Sequence, residues 1–455
     1  MKYNIPKEAR SVLNRLKKAG FEAYLVGGCV RDLIIKRETK DWDFTTNATP
    51  EQIMELFPDG FYDNKFGTVG IPVEISKIKD QRSKIIYEIT TFRSEFGYSD
   101  HRHPDKIIWG ETLEEDLKRR DFTINAMAYD DTKVIDLFRG KNDLENKIVR
   151  AVGIANTRFQ EDALRMMRAI RIATELGFTV SEDTLIAIRD NASLLKNISM
   201  ERIRDELIKI MASNYPTDGI KILRNVGLLA LILPELEKCF GVEQKSPKRH
   251  HIHDVGTHLL LSLEYCKSND PIVRLATLLH DIGKPPTKNL TNGVITFYNH
   301  EIIGASIVRN LASRLRFSKK DTIKLTKLVR YHQFTVDERQ TDSALRRFIR
   351  NVGCENLEDI LALRTGDRLG GGARETSWRL DLYKKRLIEV QKQPFKISDL
   401  KVDGHDVMKI YKIGAGPLVG AVLDMLFNDV TSGKLKNVRD ILLKRIESLR
   451  RESKN

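Results

Sequence analysis

Cysteine is scarce in this chain of 455 residues, which contains 4, at positions 29, 239, 266 and 354. They form no CxxC pair, so the sequence predicts neither a disulfide framework nor a zinc knuckle, and reduced thiols indicate a cytoplasmic protein. No apolar run reaches the roughly 18 residues that a membrane helix needs. The first residues, MKYNIPKEAR, lack the apolar region of a secretory signal. We therefore expect neither a membrane protein nor a secreted one.

Positive charge is what the chain has in excess. It carries 77 lysines and arginines against 63 aspartates and glutamates, a formal net charge of +14. This balance favours a polyanionic partner, and nucleic acid ranks before membrane because no amphipathic anchor is evident. On charge alone, a merely soluble basic surface is an equally good interpretation.

The pattern of the chain changes near residue 141. Before it, the helix-like PKEARSVLNRLKKAG, which should stop at Gly20, is followed by the strand-like segments EAYLVGG, KDWDFTT, FGTVGIPVEIS, KIIYEITTFR and KVIDLF. The segment GYSDHRHPDKIIWG lacks periodicity and is predicted to be a loop. After residue 141, apolar residues recur at helical spacing almost throughout, as in TRFQEDALRMMRAIRIATELG. The fold class is therefore α+β, with a head over 1–140 and helical regions over 141–245, 246–370 and 371–455.

A glycine turn in YLVGGCVRD follows the first predicted strand. Gly27 and Gly28 allow the backbone to approach a phosphate closely, and Arg31 adds a fixed fork of donors for phosphate oxygens. On its own this signal is weak, because such turns are more often structural than functional.

Asp41 and Asp43 flank Trp42 in the next strand-like segment. Residues two apart face the same side of a strand, so both carboxylates can converge on one site, and Mg²⁺ is the natural cation between them. An isolated DxD is usually a solvated acidic turn, but after the glycine turn a metal site becomes the better interpretation. Glu88 in EITTFR is a candidate third carboxylate, with a surface glutamate as the alternative.

The segment RRDFTINAMA places Arg119 and Arg120 at the start of a helix or turn. Arginines there suit the charge of a triphosphate, and nucleotidyl transfer depends mainly on positioning and charge stabilisation.

LVGGCVRD, DWDF, EITTFR and RRDFTINA occur in one order and spacing that closely resembles the head domain of class II tRNA nucleotidyltransferases (CCA-adding enzymes) and of bacterial poly(A) polymerases. The resemblance implies a polymerase-β-like head with a small mixed or antiparallel sheet, then a helical neck and body, an HD region and a tRNA-binding tail. It also implies that Gly28 and Arg31 contact the nucleotide, that Asp41 and Asp43 bind Mg²⁺, and that Arg120 contacts the triphosphate.

In QEDALRMMRAIR, Asp162 and Arg165 are three residues apart and are predicted to be neighbours on a helix. Such a pair can hydrogen-bond the Watson–Crick edge of a base. On spacing alone, ordinary ion pairing within the helix is the better interpretation. The similarity of EDxxRxxR to the family's base-selecting motif reverses this, and implies that Asp162 and Arg165 read CTP or ATP while Arg168 and Arg171 help hold nucleotide or RNA.

The segment RLATLLHDIGK contains a His-Asp pair, and further candidate ligands precede and follow it. Together they resemble the metal site of HD phosphohydrolases, with a second metal possible if the set extends to two more histidines. Imidazole and carboxylate ligands suit Mn²⁺, Fe²⁺, Ni²⁺ or Zn²⁺. The candidate ligands are His258, His280, Asp281 and Asp367, extended by His300 and His332.

Two segments favour one branch of the family. FRSEFGYSDHRHPD is similar to the complete flexible loop with which CCA-adding enzymes switch from CTP to ATP, and FGTVGIPVE resembles the CCA branch more than the poly(A) branch. We therefore expect template-independent addition of C, C and A to the 3′ end of tRNA from CTP and ATP, by a monomer or homodimer. A poly(A) polymerase and an RNA-binding HD phosphohydrolase remain the alternatives.

Overall fold

A computed structural model describes residues 3–39, 41–62, 67–76, 82–96, 106–109, 112–244, 253–291, 293–334, 336–391 and 397–452. The chain divides into two compact units. One is Met1–Glu237 with Arg314–Phe317, and the other is Lys238–Ser313 with Ser318–Asn455. The finer boundaries at 140, 245 and 370 remain predictions.

Within the described residues of the first unit, the main sheet has seven strands in the order β3-β4-β5-β2-β1-β8-β9. The β2–β5 pair is parallel and the other neighbours are antiparallel, so the predicted small mixed sheet is confirmed. Two further strands form a separate antiparallel pair, β6–β7. The strands of the head are β1 Ala23–Val26, β2 Asp43–Thr46, β3 Phe61–Tyr62, β4 Thr68–Ser76, β5 Arg82–Thr91, β6 Arg93–Phe96, β7 Lys106–Trp109, β8 Met127–Tyr129 and β9 Val134–Asp136.

Helices flank this sheet and then make up most of the rest of the first unit. The first helix buries Val12, Leu13 and Leu16 and ends before Gly20, whose φ of +89° suits glycine, as predicted. A short parallel pair, β10 Ile148–Val149 and β11 Thr179–Val180, interrupts the helices. The helices are α1 Lys7–Lys18, α2 Gly28–Ile34, α3 Pro50–Leu56, α4 Leu113–Lys118, α5 Gly140–Glu145, α6 Ala155–Glu161, α7 Leu164–Leu176, α8 Glu182–Asn191, α9 Met200–Ala212, α10 Pro216–Asn225, α11 Leu228–Ile232 and α12 Pro234–Glu237.

The prediction of a loop over GYSDHRHPDKIIWG was wrong at its end. Lys106–Trp109 forms β7, which pairs with β6 in the register Arg93↔Trp109. The two isoleucines of KIIW favour a strand, but a four-residue strand is stabilised by its partner, which local periodicity does not reveal. Residues 97–105 of the segment that resembles the CTP-to-ATP switching loop lie outside the described residues.

The second unit is helical, as predicted, apart from the hairpin β12 Asn289–Thr291 and β13 Val294–Thr296. Its last part has a hydrophobic cluster of its own, which includes Val407, Leu426, Leu442 and Ile446. The helices are α13 Val255–Glu264, α14 Pro271–Leu279, α15 Lys284–Thr287, α16 His300–Arg314, α17 Lys319–Tyr331, α18 Asp342–Val352, α19 Leu357–Gly370, α20 Trp378–Val390, α21 Gly404–Tyr411, α22 Pro417–Thr431 and α23 Arg439–Glu452.

Two expected absences concern cysteines and membrane spans. All four cysteines are free thiols, which agrees with the prediction of no disulfide framework. Among the described residues, no helix combines the length and the apolar character needed to cross a membrane.

Close packing between α13 and α19 depends on a glycine. A Cβ at Gly366 of α19 would lie 2.5 Å from the backbone oxygen of Ser262 in α13 and 3.2 Å from the side chain of Thr277. The two helices could not keep this approach with any larger residue at position 366. His258 lies on α13 and Asp367 on α19, so the same approach brings two predicted metal ligands together.

We predict that Gly366→Ala lowers the free energy of unfolding by about 2 kcal/mol, because the added methyl group meets rigid backbone. Gly420→Ala is the matched control. Gly420 is exposed within α22 and a Cβ there meets nothing within 4 Å, so alanine should raise the free energy of unfolding by about 0.5–1 kcal/mol. Urea unfolding followed by circular dichroism measures both, and equal stabilisation by the two substitutions would contradict the packing argument.

Candidate active site

The glycine turn between β1 and α2 fixes the centre of the head. Gly27 has a φ of +81°, which a side chain rarely adopts. A Cβ at Gly27 would lie 3.2 Å from Nη1 of Arg120 and 3.7 Å from Oδ2 of Asp43. The bare backbone of this turn therefore allows an arginine and a carboxylate from distant segments to approach the start of α2.

The two predicted metal-binding aspartates face one pocket. Strand β2 begins at Asp43, so Asp41 lies just before the strand, while Trp42 between them is buried. Asp41 and Asp43 both line a cavity of about 570 Å³. Burial raises the pKa of Asp43 and the charge of Asp41 adds to this rise, against the opposing effects of Arg120 and Arg168. A divalent cation between the carboxylates would remove this cost, so the donor set fits a hard metal ion.

Some of the predicted nucleotide-binding residues line the same cavity as Asp41 and Asp43, and the rest are not part of its lining. Glu88 is exposed on β5, where the parallel register places it opposite Asp43, and its role as a third carboxylate remains a prediction. In the described part of the chain, the lining does not include Glu88, Arg120, Asp162 or Arg165. The predicted residues that line the cavity are Gly28, Arg31, Asp41, Asp43, Arg168 and Arg171.

Asp116 on α4, which the sequence analysis missed, contacts both Arg119 and Arg120. Its side chain is fully buried, and its Oδ1 accepts a hydrogen bond from Nε of Arg119 at 2.9 Å. Its Oδ2 accepts from Nη2 of Arg120 at 3.0 Å and from the hydroxyl of Thr45 at 3.2 Å. Burial would raise the pKa of Asp116, but the two arginines hold it at about 2. The signal was present in EEDLKRRD, because Asp116 precedes the arginines by three and four residues.

The predicted continuous helix over TRFQEDALRMMRAIRIATELG was wrong, because the chain breaks at Asp162. That residue has φ −138° and ψ 103°, between α6 and α7. Its Oδ1 accepts the N–H of Leu164, the first residue of α7, at 3.0 Å, and its Oδ2 accepts from Arg202 at 3.2 Å. Asp162 and Arg165 therefore do not form a pair on one helical face, and their joint role in base selection remains a prediction.

The three neck arginines are each paired with a carboxylate. Arg165 donates to Glu161 at 2.7 Å and to the backbone oxygen of Arg119 at 3.0 Å. Arg168 donates to Asp121 at 2.6 Å, and burial of that carboxylate is outweighed by the arginine, which lowers the pKa of Asp121 to about 2. The third arginine, Arg171, forms an ion pair with Glu206 at 2.8 Å.

In the second unit, the six predicted HD ligands converge in the interior. The Nε2 atom of His258 lies 3.3 Å from Nε2 of His280 and 3.2 Å from Oδ1 of Asp367. The Nε2 atoms of His300 and His332 lie 3.4 Å apart. The two oxygens of Asp281 face different histidines, with Oδ2 3.4 Å from His280 and Oδ1 3.2 Å from His300. The donors therefore form two groups that share one carboxylate.

Backbone contacts fix which nitrogen of three of these histidines faces the cluster. The Nδ1 atoms of His280, His300 and His332 lie 2.8, 2.8 and 2.7 Å from the carbonyl oxygen three residues earlier. A carbonyl only accepts, so each Nδ1 carries a proton, and in the neutral imidazole each Nε2 turns a lone pair inward. Lone pairs at these distances repel unless a cation lies among them. Burial opposes charge on His280, yet Asp281 and Asp367 raise its pKa to about 10, so these carboxylates favour a positive charge there, which a bound metal ion would supply in place of the Nε2 proton.

Comparison with known families gives three matches along the chain. Residues 23–150 match the poly A polymerase head domain, residues 177–240 match the probable RNA and SrmB-binding site of polymerase A, and residues 250–360 match the HD domain. The class is therefore that of nucleotidyltransferases with a poly(A) polymerase head and an HD domain. Enzymes of this class depend on divalent metal ions.

Full-length relatives narrow the class to one family. The chain is 33% identical to a CCA-adding enzyme of Limosilactobacillus reuteri over 98% of this chain and 97% of the relative. It is 32% identical to that of Ligilactobacillus salivarius, over 99% and 98%. The solved Bacillus stearothermophilus CCA-adding enzyme in complex with CTP superimposes with a TM-score of 0.70 at 26% identity, with 98% of each chain covered. The chain belongs to the family of CCA-adding enzymes, and the resemblance stated from its motifs is confirmed.

We predict that Asp116→Asn lowers the free energy of unfolding at pH 7 by about 2–3 kcal/mol, because two arginines lose their buried counter-charge. The folded pKa of Asp116 lies near 2, below its ordinary value of 3.8, so its stabilisation is complete above about pH 5 and is lost as the pH falls towards 2. Urea titrations of wild type, the variant and an exposed control, Asp59→Asn, measure this. A wild-type advantage that stays constant from pH 6 to pH 3 would contradict the assignment.

Proposed function

We propose that this chain adds C, C and A to the 3′ end of tRNA from CTP and ATP, without a template and with release of pyrophosphate. The observation that carries the proposal is the pocket that Asp41 and Asp43 line together with Gly28 and Arg31, beside the Gly27 turn against which Arg120 lies. Membership of the CCA-adding family along nearly the whole chain supports the same reaction over poly(A) addition. The B. stearothermophilus relative was solved with CTP, which agrees with CTP as one substrate.

We assign the metal of the head to Asp41 and Asp43, and we take it to be Mg²⁺, since both ligands are hard oxygens beside a triphosphate site. When bound, divalent ions at such a site promote attack by the 3′-hydroxyl and stabilise the pyrophosphate leaving group. The chain's own contribution is to hold the two carboxylates together despite their repulsion. Arg120, which lies against Gly27 and near Asp43, partly offsets that repulsion before any nucleotide binds.

The arginines of the head position the triphosphate. Arg31 lines the pocket close to the start of α2, and Arg120 is held against the same turn by Asp116. Together with the N–H groups at the beginning of α2, they offer donors to phosphate oxygens, with Gly28 leaving space for close approach. Because buried neighbours fix both guanidinium groups in advance, little reorganisation is needed when the nucleotide arrives.

Selection between C and A is assigned to Asp162 and Arg165, with Arg168 and Arg171 helping to hold nucleotide or RNA. Asp162 now accepts from Arg202, and Arg165 donates to Glu161. To read a base, both side chains must exchange these internal partners for the Watson–Crick edge. Such an exchange between comparable hydrogen bonds costs little, which suits residues that must serve two different bases in turn.

The remaining assignments are the part of the chain that binds tRNA, the cellular location and the oligomeric state. The net charge of +14 supports binding of tRNA along the chain, and we assign the tail, residues 371–455, to contacts with tRNA beyond its 3′ end. We propose that the protein acts in the cytoplasm as a monomer or homodimer.

The decisive experiment supplies tRNA transcripts that end before CCA with CTP, ATP or both, and sequences the 3′ ends. We expect C-C with CTP alone and C-C-A with both nucleotides. Asp41→Ala combined with Asp43→Ala should abolish addition, because the metal ligands are removed, whereas Asp59→Ala with Asp190→Ala removes two exposed carboxylates and should not. Long poly(A) tails as the product, or undiminished addition by the Asp41/Asp43 variant, would overturn the proposal.

A second function is favoured by the buried cluster of the second unit. We propose that His258, His280, Asp281 and Asp367 hold a divalent transition metal such as Mn²⁺, Fe²⁺, Ni²⁺ or Zn²⁺, and that His300 and His332 extend the site to a second ion. The observation behind this is the convergence of inward-facing Nε2 atoms on the two oxygens of Asp281. Such a site supports phosphohydrolase chemistry, in which a bound ion polarises a phosphate ester and activates water.

We predict that the purified chain, loaded with Mn²⁺ or Ni²⁺, opens the 2′,3′-cyclic phosphate of RNA ends with one water to give a phosphomonoester, and releases phosphate from that monoester with a second water. His280→Ala should abolish this release and lower the bound metal measured by mass spectrometry. The Asp41/Asp43 double variant and His405→Ala, which changes an exposed histidine, should retain both. Hydrolysis that survives His280→Ala, or that is lost with Asp41 and Asp43, would contradict an independent HD site.

A further inference from the structure

Asn125 lies at the end of a single 3₁₀ turn, Thr123–Asn125, and lines the same cavity as Asp41 and Asp43. The residue is 8% exposed, so its polar atoms depend on partners inside the protein. No role is assigned to it above, although it belongs to the segment RRDFTINA. Its hydrogen bonds connect Arg31 of the head to Asp121, the carboxylate that Arg168 of the neck contacts.

The amide of Asn125 joins two charged groups of opposite sign. Its Oδ1 accepts a hydrogen bond from Nη1 of Arg31 at 2.8 Å, and its Nδ2 donates to Oδ1 of Asp121 at 3.3 Å. Because arginine only donates and a carboxylate only accepts, the orientation of the amide is fixed. Asp121 is in turn held by Arg168, so a chain of hydrogen bonds runs from Arg168 to Arg31.

Arg31 is constrained on both sides by this arrangement. Its Nε donates to Asp32 at 2.9 Å, while Nη1 donates to Asn125. The third nitrogen, Nη2, forms an ion pair with Oδ1 of Asp32 at 2.9 Å and lies 3.5 Å from the position that a Cβ of Gly28 would occupy, at the beginning of α2. The guanidinium plane is thus set relative to the turn where the phosphates are proposed to bind.

We propose that Asn125 is a positioning residue for nucleotide binding, which holds the guanidinium of Arg31 towards the triphosphate. The proposal rests on the assignment of Arg31 to nucleotide binding made above. Since Asn125 acts through phosphate contacts, its loss should weaken CTP and ATP by the same factor. A residue that touched the base would instead change the ratio of the two affinities.

Isothermal titration of the full chain with CTP and with ATP tests this, without depending on transfer to tRNA. We expect Asn125→Ala to weaken both nucleotides about tenfold, the range for a lost hydrogen bond to a charged group. Asn125→Asp keeps the acceptor oxygen for Arg31 and should bind within about threefold of wild type, at some loss of stability beside Asp121. Asn191→Ala, which removes an equally buried amide of α8, should leave both affinities unchanged.

A double-mutant cycle separates positioning from direct contact. In the Arg31→Ala background, Asn125→Ala should add less than twofold, because the group it positions is gone. A full tenfold further loss, an effect on one nucleotide only, or equal defects in Asn125→Ala and Asn125→Asp would overturn the proposal. A chain that binds CTP and shows the expected cycle but adds no nucleotide to tRNA would refute the proposed function and leave the role of Asn125 standing.

Discussion

Repulsion between Asp41 and Asp43 is the constraint around which the head is built. Both carboxylates face one cavity, and burial makes their joint ionisation costly, as the raised pKa of Asp43 shows. The fold offsets part of this cost with Arg120, admitted by the bare backbone of Gly27, and leaves the rest for a bound cation. In the proposed function, affinity for metal and affinity for triphosphate would arise from the same electrostatic imbalance.

Three arginines of the site are each held by a buried carboxylate outside the metal pair. Asp116 holds Arg120, Asp121 holds Arg168, and Glu206 holds Arg171. An unpaired buried arginine would be costly, and a mobile one would lose entropy on binding a phosphate. Pairing solves both problems, because the guanidinium groups stay charged and oriented while part of each remains available to a ligand.

Much of the head could be predicted from the sequence, because its signals are local. The glycine turn, the alternation around Trp42 and the strand EITTFR depend on residues within a few positions of each other. The break at Asp162 could not be predicted, since the apolar spacing of Leu164 and its successors continues from α6 without a Pro or Gly to mark the interruption. The break becomes evident only from the hydrogen bonds of Asp162 to the N–H of Leu164 and to Arg202, which lies forty residues later.

The HD cluster differs from the head pair in the kind of cation that it can hold. The head offers carboxylate oxygens open to a cavity, which suits an ion that keeps water and phosphate ligands. The HD cluster offers buried imidazoles, and hydrogen bonds to backbone carbonyls fix the inward Nε2 atoms of His280, His300 and His332. Nitrogen ligands in a dry interior favour a transition metal. If both sites act as proposed, the two metal-dependent chemistries would not compete for one ion, because the donor atoms at each site favour different ions.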